Sequence, residues 1–139
     1  MNAVPVFLAS VFGILGVPIA SACSCPTAES WWDSKSPIIF QAKVLGTDLT
    51  SQTDRGIPVV SVRYQLIERF RGSPDGITVL RTITDTGMCG VRIMAGDQWI
   101  IHTTSEGWVW MCSGSRTILP TLEGDKVLLE KLRQARDAK

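Results

Sequence analysis

The chain has 139 residues, of which 45% are apolar, and a formal net charge of +1. Near-neutral charge excludes a bulk electrostatic pull toward nucleic acid or an anionic membrane. The length suits one ordinary domain, and no internal repeat or low-complexity tract divides it.

The first 22 residues carry no Lys, Arg, Asp or Glu. An apolar run from Val4 to Val17 is followed by Ala20-Ser21-Ala22, the small residues a signal peptidase requires. This is the architecture of a secretory signal peptide, without the usual basic residue ahead of the apolar run. The segment is nearly long enough to stay as a membrane anchor, but Pro5, Pro18 and the A-S-A ending favour cleavage after Ala22. The expectation is a signal over 1–22 and one mature domain over 23–139, extracellular or periplasmic, with no membrane span once the signal is removed.

The mature chain would open on "CSCP", residues 23–26. Its four cysteines, Cys23, Cys25, Cys89 and Cys112, make an even count, which in an exported chain predicts two disulfides. A Cys23–Cys25 bridge would close a ring that disulfide geometry disfavours. Two pairings stay open: 23–89 with 25–112, or 23–112 with 25–89. Residues i and i+2 of an extended chain point to one face, so C-S-C can staple the mature N-terminus to two neighbouring elements. A thiolate metal site is the competing reading. Zinc sites use C-x2-C pairs or spaced histidines, whereas this chain has C-x-C, two distant cysteines and one histidine.

Residues 26–36 predict a short helix or turn, with Thr27 as cap and Trp31 and Trp32 packing beneath it. Strand patterns follow. In 38–46, Ile38, Phe40, Ala42 and Val44 share a face; 48–56 reads as a polar loop. In 57–70, Val60, Val62, Tyr64 and Leu66 share a face, and the length suggests a bend. The stretch 71–76 is a turn on composition, 77–84 is a strand, and 85–90 is a glycine-rich connection holding Cys89. The runs 97–104 and 107–112 predict a hairpin across Ser105–Gly107. Five strands with few intervening helices predict an antiparallel sheet or small barrel. In 125–139, Leu128, Leu129, Leu132 and Ala135 recur at helical spacing, with Asp125 as cap and basic residues toward the end. This is an amphipathic helix packed on the sheet.

No catalytic set accompanies these elements. His102, the one histidine, lies in the strand-like "WIIHTT", where a structural or surface role is expected. Neither G-x-S-x-G, H-E-x-x-H nor a phosphate-binding glycine loop is present. The expectation is therefore binding or inhibition rather than an enzyme, with no cofactor of its own.

Taken together, "CSCP", "IIFQAKVLGT", "RYQLIERFRG", "MCG" and "WMC" occur in an order and cysteine spacing that resemble the N-terminal domain of the tissue inhibitors of metalloproteinases. That family is a branch of the netrin-like modules. The resemblance covers about residues 23–120, in a form limited to the N-terminal domain and lacking its third disulfide. It implies a five-stranded OB-type barrel with a short N-terminal helix and a C-terminal amphipathic helix, and it selects the pairing Cys23–Cys89 with Cys25–Cys112. It also implies a monomeric secreted inhibitor of zinc metalloendopeptidases. Cys23 would grip the target's catalytic zinc through its α-amine and carbonyl, the one metal contact implied. Ser24 would point into the pocket beside it, Cys25 and Pro26 would continue along the cleft, and Gly87, Met88 and Cys89 would form the adjoining ridge. Two alternatives keep the same fold: a non-inhibitory netrin-like protein-binding module, and a lipid-anchored cell-envelope protein. The second arises because "ASAC" also resembles a bacterial lipoprotein processing site. Lipid on Cys23 would occupy the sulfur needed for a disulfide, so the even cysteine count favours the bridge.

Overall fold

The computed structural model describes Cys23, Cys25 and residues 36–138. The expected signal, residues 26–35 of the expected helix with Trp31 and Trp32, and Ser24 lie outside them. Five strands form one antiparallel sheet: β1 (Ile38–Asp54), β2 (Ile57–Arg71), β3 (Leu80–Ile83), β4 (Gln98–Thr103) and β5 (Arg116–Ile118), in the order β3-β2-β1-β4-β5. One helix, α1 (Glu123–Asp137), follows. The chain is thus mainly β with a C-terminal helix. Among the described residues no ladder joins β3 to β5, so the sheet is not closed into a barrel by strand pairing.

β1 is central and covered on both faces, so Ile38 to Ala42 are all buried and alternate between two cores. Ile38, Phe40, Ala42 and Val44 face one cluster with Val62, Leu80, Trp99, Ile101 and Val109. Val60, Tyr64 and Leu66 pack against it from β2, on the face that the period-2 pattern of both strands defines. Tyr64 is anchored there by donating its hydroxyl to the Ile77 carbonyl at 2.7 Å. The other face brings Ile39, Phe70, Ile100 and Ile118 against Leu128, Leu129 and Leu132 of α1. Register shifts at four points of the β1–β2 ladder, one of them between Val44 and Gly46, bend the long ribbon.

Four local expectations are corrected. The stretch 48–56 is not a loop: β1 runs through Asp54, and only Arg55 and Gly56 form the turn. Both have positive φ (50° and 79°), which suits a two-residue hairpin turn. The distal ribbon is solvated on both sides, so it lacks the apolar alternation that marks a strand. The strand expected over 77–84 shortens to 80–83. The run 107–112 does not pair back on β4. Gly107, at φ 77°, turns the chain toward β3, where its carbonyl accepts from Arg81 N and Val109 N donates to Arg81 O, both at 2.8 Å. Trp108 bridges Arg81 in parallel, and the free edge of β4 is taken by β5, a strand the sequence did not reveal.

The last correction concerns Asp125. The helix begins at Glu123 with Leu122 as N-cap, and Asp125 sits in the first turn. Its carboxylate reaches back to accept Leu119 N at 2.7 Å and Arg116 Nη2 at 2.8 Å. It therefore ties the β5–α1 connection rather than capping the helix. Farther along, Arg133 and Arg136 both grip Glu68 of β2, at 2.8 and 2.9 Å. The Arg133 hydrogen bond, followed by that of Arg136, holds the Glu68 carboxyl below its ordinary range. Leu132 is 2% exposed at the centre of the apolar stripe. Leu132→Ala is expected to cost about 2–5 kcal/mol, read by urea denaturation. A cost under about 0.5 kcal/mol, the range of surface substitutions, would show that the helix does not close this core.

Candidate functional site: the disulfide-anchored N-terminus

Two disulfides bring distant segments to one place. Cys23 is bonded to Cys89 and Cys25 to Cys112, with Cα–Cα separations of 5.5 and 5.0 Å. This is the first of the two pairings left open by spacing, and the one the resemblance selects. Among the described residues no cysteine is free. The closed loops span 66 and 87 residues in sequence separation. Each is worth about 4 kcal/mol on a chain-entropy argument, but they overlap and do not add.

Each bridge ends on a tight 3-10 turn. In the first, Thr86–Met88, Asp85 is the N-cap and accepts Gly87 N on its carboxylate at 2.8 Å, while its carbonyl accepts Gly90 N at 3.0 Å. Gly90 is buried, and a side chain there would run into the Ile83 and Asp85 carbonyls. The second turn, Met111–Ser113, is fastened by Ser113 Oγ donating to Trp110 O at 2.8 Å. Met111 N donates to Cys89 O at 2.9 Å, so the two turns form one unit. Cys23 Sγ, a disulfide sulfur with no proton to donate, lies 3.6 Å from the Gly87 carbonyl oxygen. Of the residues expected at the site, Cys23, Cys25, Gly87, Met88 and Cys89 are therefore brought together. Met88 (37% exposed) and Met111 (40%) present flexible thioethers to solvent on these turns.

The sequence did not reveal the neighbours of this unit. Trp108 and Trp110 stack with ring centroids 5.0 Å apart and planes 11° from parallel. The Arg55 guanidinium, at the tip of the β1–β2 ribbon, lies 5.6 Å from the Trp110 ring centre, in cation–π range. The alternation in "WVWMC", with Val109 buried, does place the two tryptophans on one outer face. The contact of Trp110 with Arg55 is set by tertiary folding across more than 50 residues. Among the described residues, Arg55 (φ 50°) and Cys89 (φ 72°) are the two non-glycine residues in the left-handed region. Such conformations cost of order 1 kcal/mol or more and cluster at binding sites.

Behind the second turn sits His102, fully buried rather than at the surface. Its backbone NH donates to Ser115 Oγ at 2.8 Å, and Ser115 Oγ in turn contacts Ser113 Oγ at 2.9 Å. Gly114 passes against the imidazole. Ser36 Oγ donates to Ser113 O at 3.4 Å and Arg71 Nη1 to Ser36 O at 3.3 Å, which ties the incoming chain to the same turn. Burial, and next the Arg71 charge, push the His102 pKa down to about 4. The unfolded chain takes up this proton near its ordinary value of about 6.5, whereas the folded state resists until about 4. Stability should therefore fall as pH drops from about 6.5 to about 4, by about 3 kcal/mol in all, and this contribution should level off below. Glu68 loses its arginine pairing only as pH falls below its ordinary carboxyl range, so the upper part of the window belongs to His102. Urea denaturation between pH 6.5 and 4.5 should show a clear slope that His102→Asn flattens. An equal slope in both proteins would contradict the assignment.

Among the described residues no group of three or more His, Cys, Asp or Glu side chains could hold a metal ion. No helix among them is long and apolar enough to cross a membrane. No family model matches the chain, and a search of curated proteins finds no match.

Proposed function

We propose that the protein is a secreted inhibitor of zinc metalloendopeptidases, built on the netrin-like module that its cysteine framework resembles. The observation that carries this reading is the double tether of the N-terminus. Cys23 and Cys25 are each bonded to a tight turn, and the two turns are joined by the Met111–Cys89 hydrogen bond. Signal cleavage after Ala22 would leave the α-amine of Cys23 on a segment that cannot swing away. A catalytic zinc keeps one position open for water. The neutral amine would displace that water and the Cys23 carbonyl would add beside it as a fifth ligand, Ser24 would enter the adjoining pocket, and Pro26 would continue along the cleft. The Gly87–Met88–Cys89 turn would lie against the cleft rim. Preorganisation by two bridges lowers the ordering cost of binding.

The fold reading that goes with this is the partly open, OB-type five-stranded barrel. It is supported by β1 pairing with both β2 and β4, and by the parallel bridge from Arg81 of β3 to Trp108. The disulfide also bears on the lipid-anchored alternative, because it uses the sulfur that lipidation would need. Two disulfides accord with an exported chain.

The test is to purify the exported protein, verify by intact mass that it begins at Cys23, and titrate it against a panel of zinc endopeptidases. Competitive inhibition is expected, weakening as pH falls below about 7.7–8.0, where the amine takes up a proton. Inhibition of nothing in a broad panel would transfer the reading to a non-inhibitory binding module, for which the exposed Met88 and Met111 are the obvious contact residues.

A further inference from the structure

A half-open cavity of about 430 Å³ lies where β1, β2 and β3 meet the segment after Gly90. Its floor is apolar, made by Val60, Ile83 and Ile93. Its rim carries Arg92 and the exposed threonines Thr47, Thr84 and Thr86. Among the described residues, neither Arg92 nor any of these three hydroxyls has a hydrogen-bonding or ionic partner within the protein. Thr82, inside the same cavity, uses its hydroxyl to accept Val91 N at 2.9 Å. Arg55, Arg63, Arg69, Arg116, Arg133 and Arg136 are all in ion pairs. Among the described residues, no acidic side chain lines the cavity.

We infer that this cavity binds a small amphipathic anion, a carboxylate on a short aliphatic stem. The stem covers Val60, Ile83 and Ile93. The carboxylate accepts from the Arg92 guanidinium, whose fork matches two oxygens, and from rim hydroxyls that rotate to donate. An apolar floor beneath one unpaired cation and several hydroxyls is the usual composition of a small-ligand site, and the volume is in the range of such sites. A bare inorganic anion would leave the floor wet, and a cation would face Arg92. The site uses none of the four cysteines and does not depend on the inhibitor reading.

The test is a titration of methyl-labelled mature protein, followed by NMR, with hexanoate, hexylammonium and inorganic phosphate as probes. Hexanoate should shift the Val60, Ile83 and Ile93 methyls saturably, with a dissociation constant on the order of 1 mM for so small a ligand. Neither hexylammonium nor phosphate should shift them. Arg92→Gln, an exposed change, should weaken hexanoate by about tenfold or more, as expected for losing a charge-assisted contact. Arg63→Gln, which removes an arginine paired with Asp48 and outside the lining, should leave hexanoate binding unchanged. The absence of a saturable hexanoate shift, equal shifts by hexylammonium or phosphate, or an unaltered affinity in Arg92→Gln would each overturn the assignment.

Discussion

Removing the Cys25–Cys112 bridge by the paired change Cys25→Ser and Cys112→Ser should lower stability by about 2–5 kcal/mol, the usual cost of losing a native disulfide from a small secreted domain. The bond spans 87 residues of sequence separation, so its removal restores a large share of unfolded-chain freedom. Local effects act in the same direction. The Met111–Ser113 turn would lose its covalent tie to the N-terminus and keep only hydrogen bonds such as Met111 N to Cys89 O and Ser113 Oγ to Trp110 O. The Cys23–Cys89 bridge remains in this variant, so its residual stability reports one staple alone. Chemical denaturation, with peptide mapping under non-reducing conditions to verify the remaining bond, gives the answer. A loss below about 0.5 kcal/mol, as for an ordinary surface substitution, would mean that this staple contributes nothing to the fold.

The core was the most legible part of the sequence because strict period-2 alternation has one physical meaning. Ile38, Phe40, Ala42 and Val44 could share a face only in a strand, and they meet Val60, Val62, Tyr64 and Leu66 in one cluster. The stripe Leu128, Leu129 and Leu132 was legible for the corresponding reason at helical period, and all three are buried. Where one face is not buried, the pattern carries no signal. The distal β1–β2 ribbon is solvated, so its polar residues imitate a loop although Leu49 pairs with Val60 and Asp54 with Ile57. β5 was too short, at three residues, to show any alternation. The segment 107–112 did alternate, but alternation does not name the neighbour, and Gly107 sends Trp108 to β3 instead of β4.

The candidate site was legible in its cysteines and not in its surroundings. The C-S-C spacing limited the choice to two pairings, and the bonds observed are one of them. Nothing local foretold that Arg55 would reach Trp110, or that Cys89 would adopt a left-handed backbone. Both depend on contacts between residues far apart in the chain, and such contacts override local preference. Asp125 teaches the same lesson on a smaller scale. A carboxylate near a helix start is a good cap by propensity, yet this one is drawn to Leu119 N and Arg116 because the β5–α1 connection folds back on it.

If, as proposed, the α-amine of the mature N-terminus is the inhibitory group, its position decides whether the protein inhibits. One alanine added before Cys23 extends an end of the chain and touches neither disulfide bond, so the fold and both bridges should persist. The amine, however, moves by one residue, and a misplacement of even about 1 Å at a reacting centre can cost about 100-fold. The most direct measurement is therefore the inhibition constant of the native and the alanine-extended protein, side by side, against a zinc endopeptidase that the native form inhibits. The extended form should be weaker by about 100-fold or more, with unchanged denaturation and both disulfides intact. An extended form that inhibits as well as the native one would contradict the proposal.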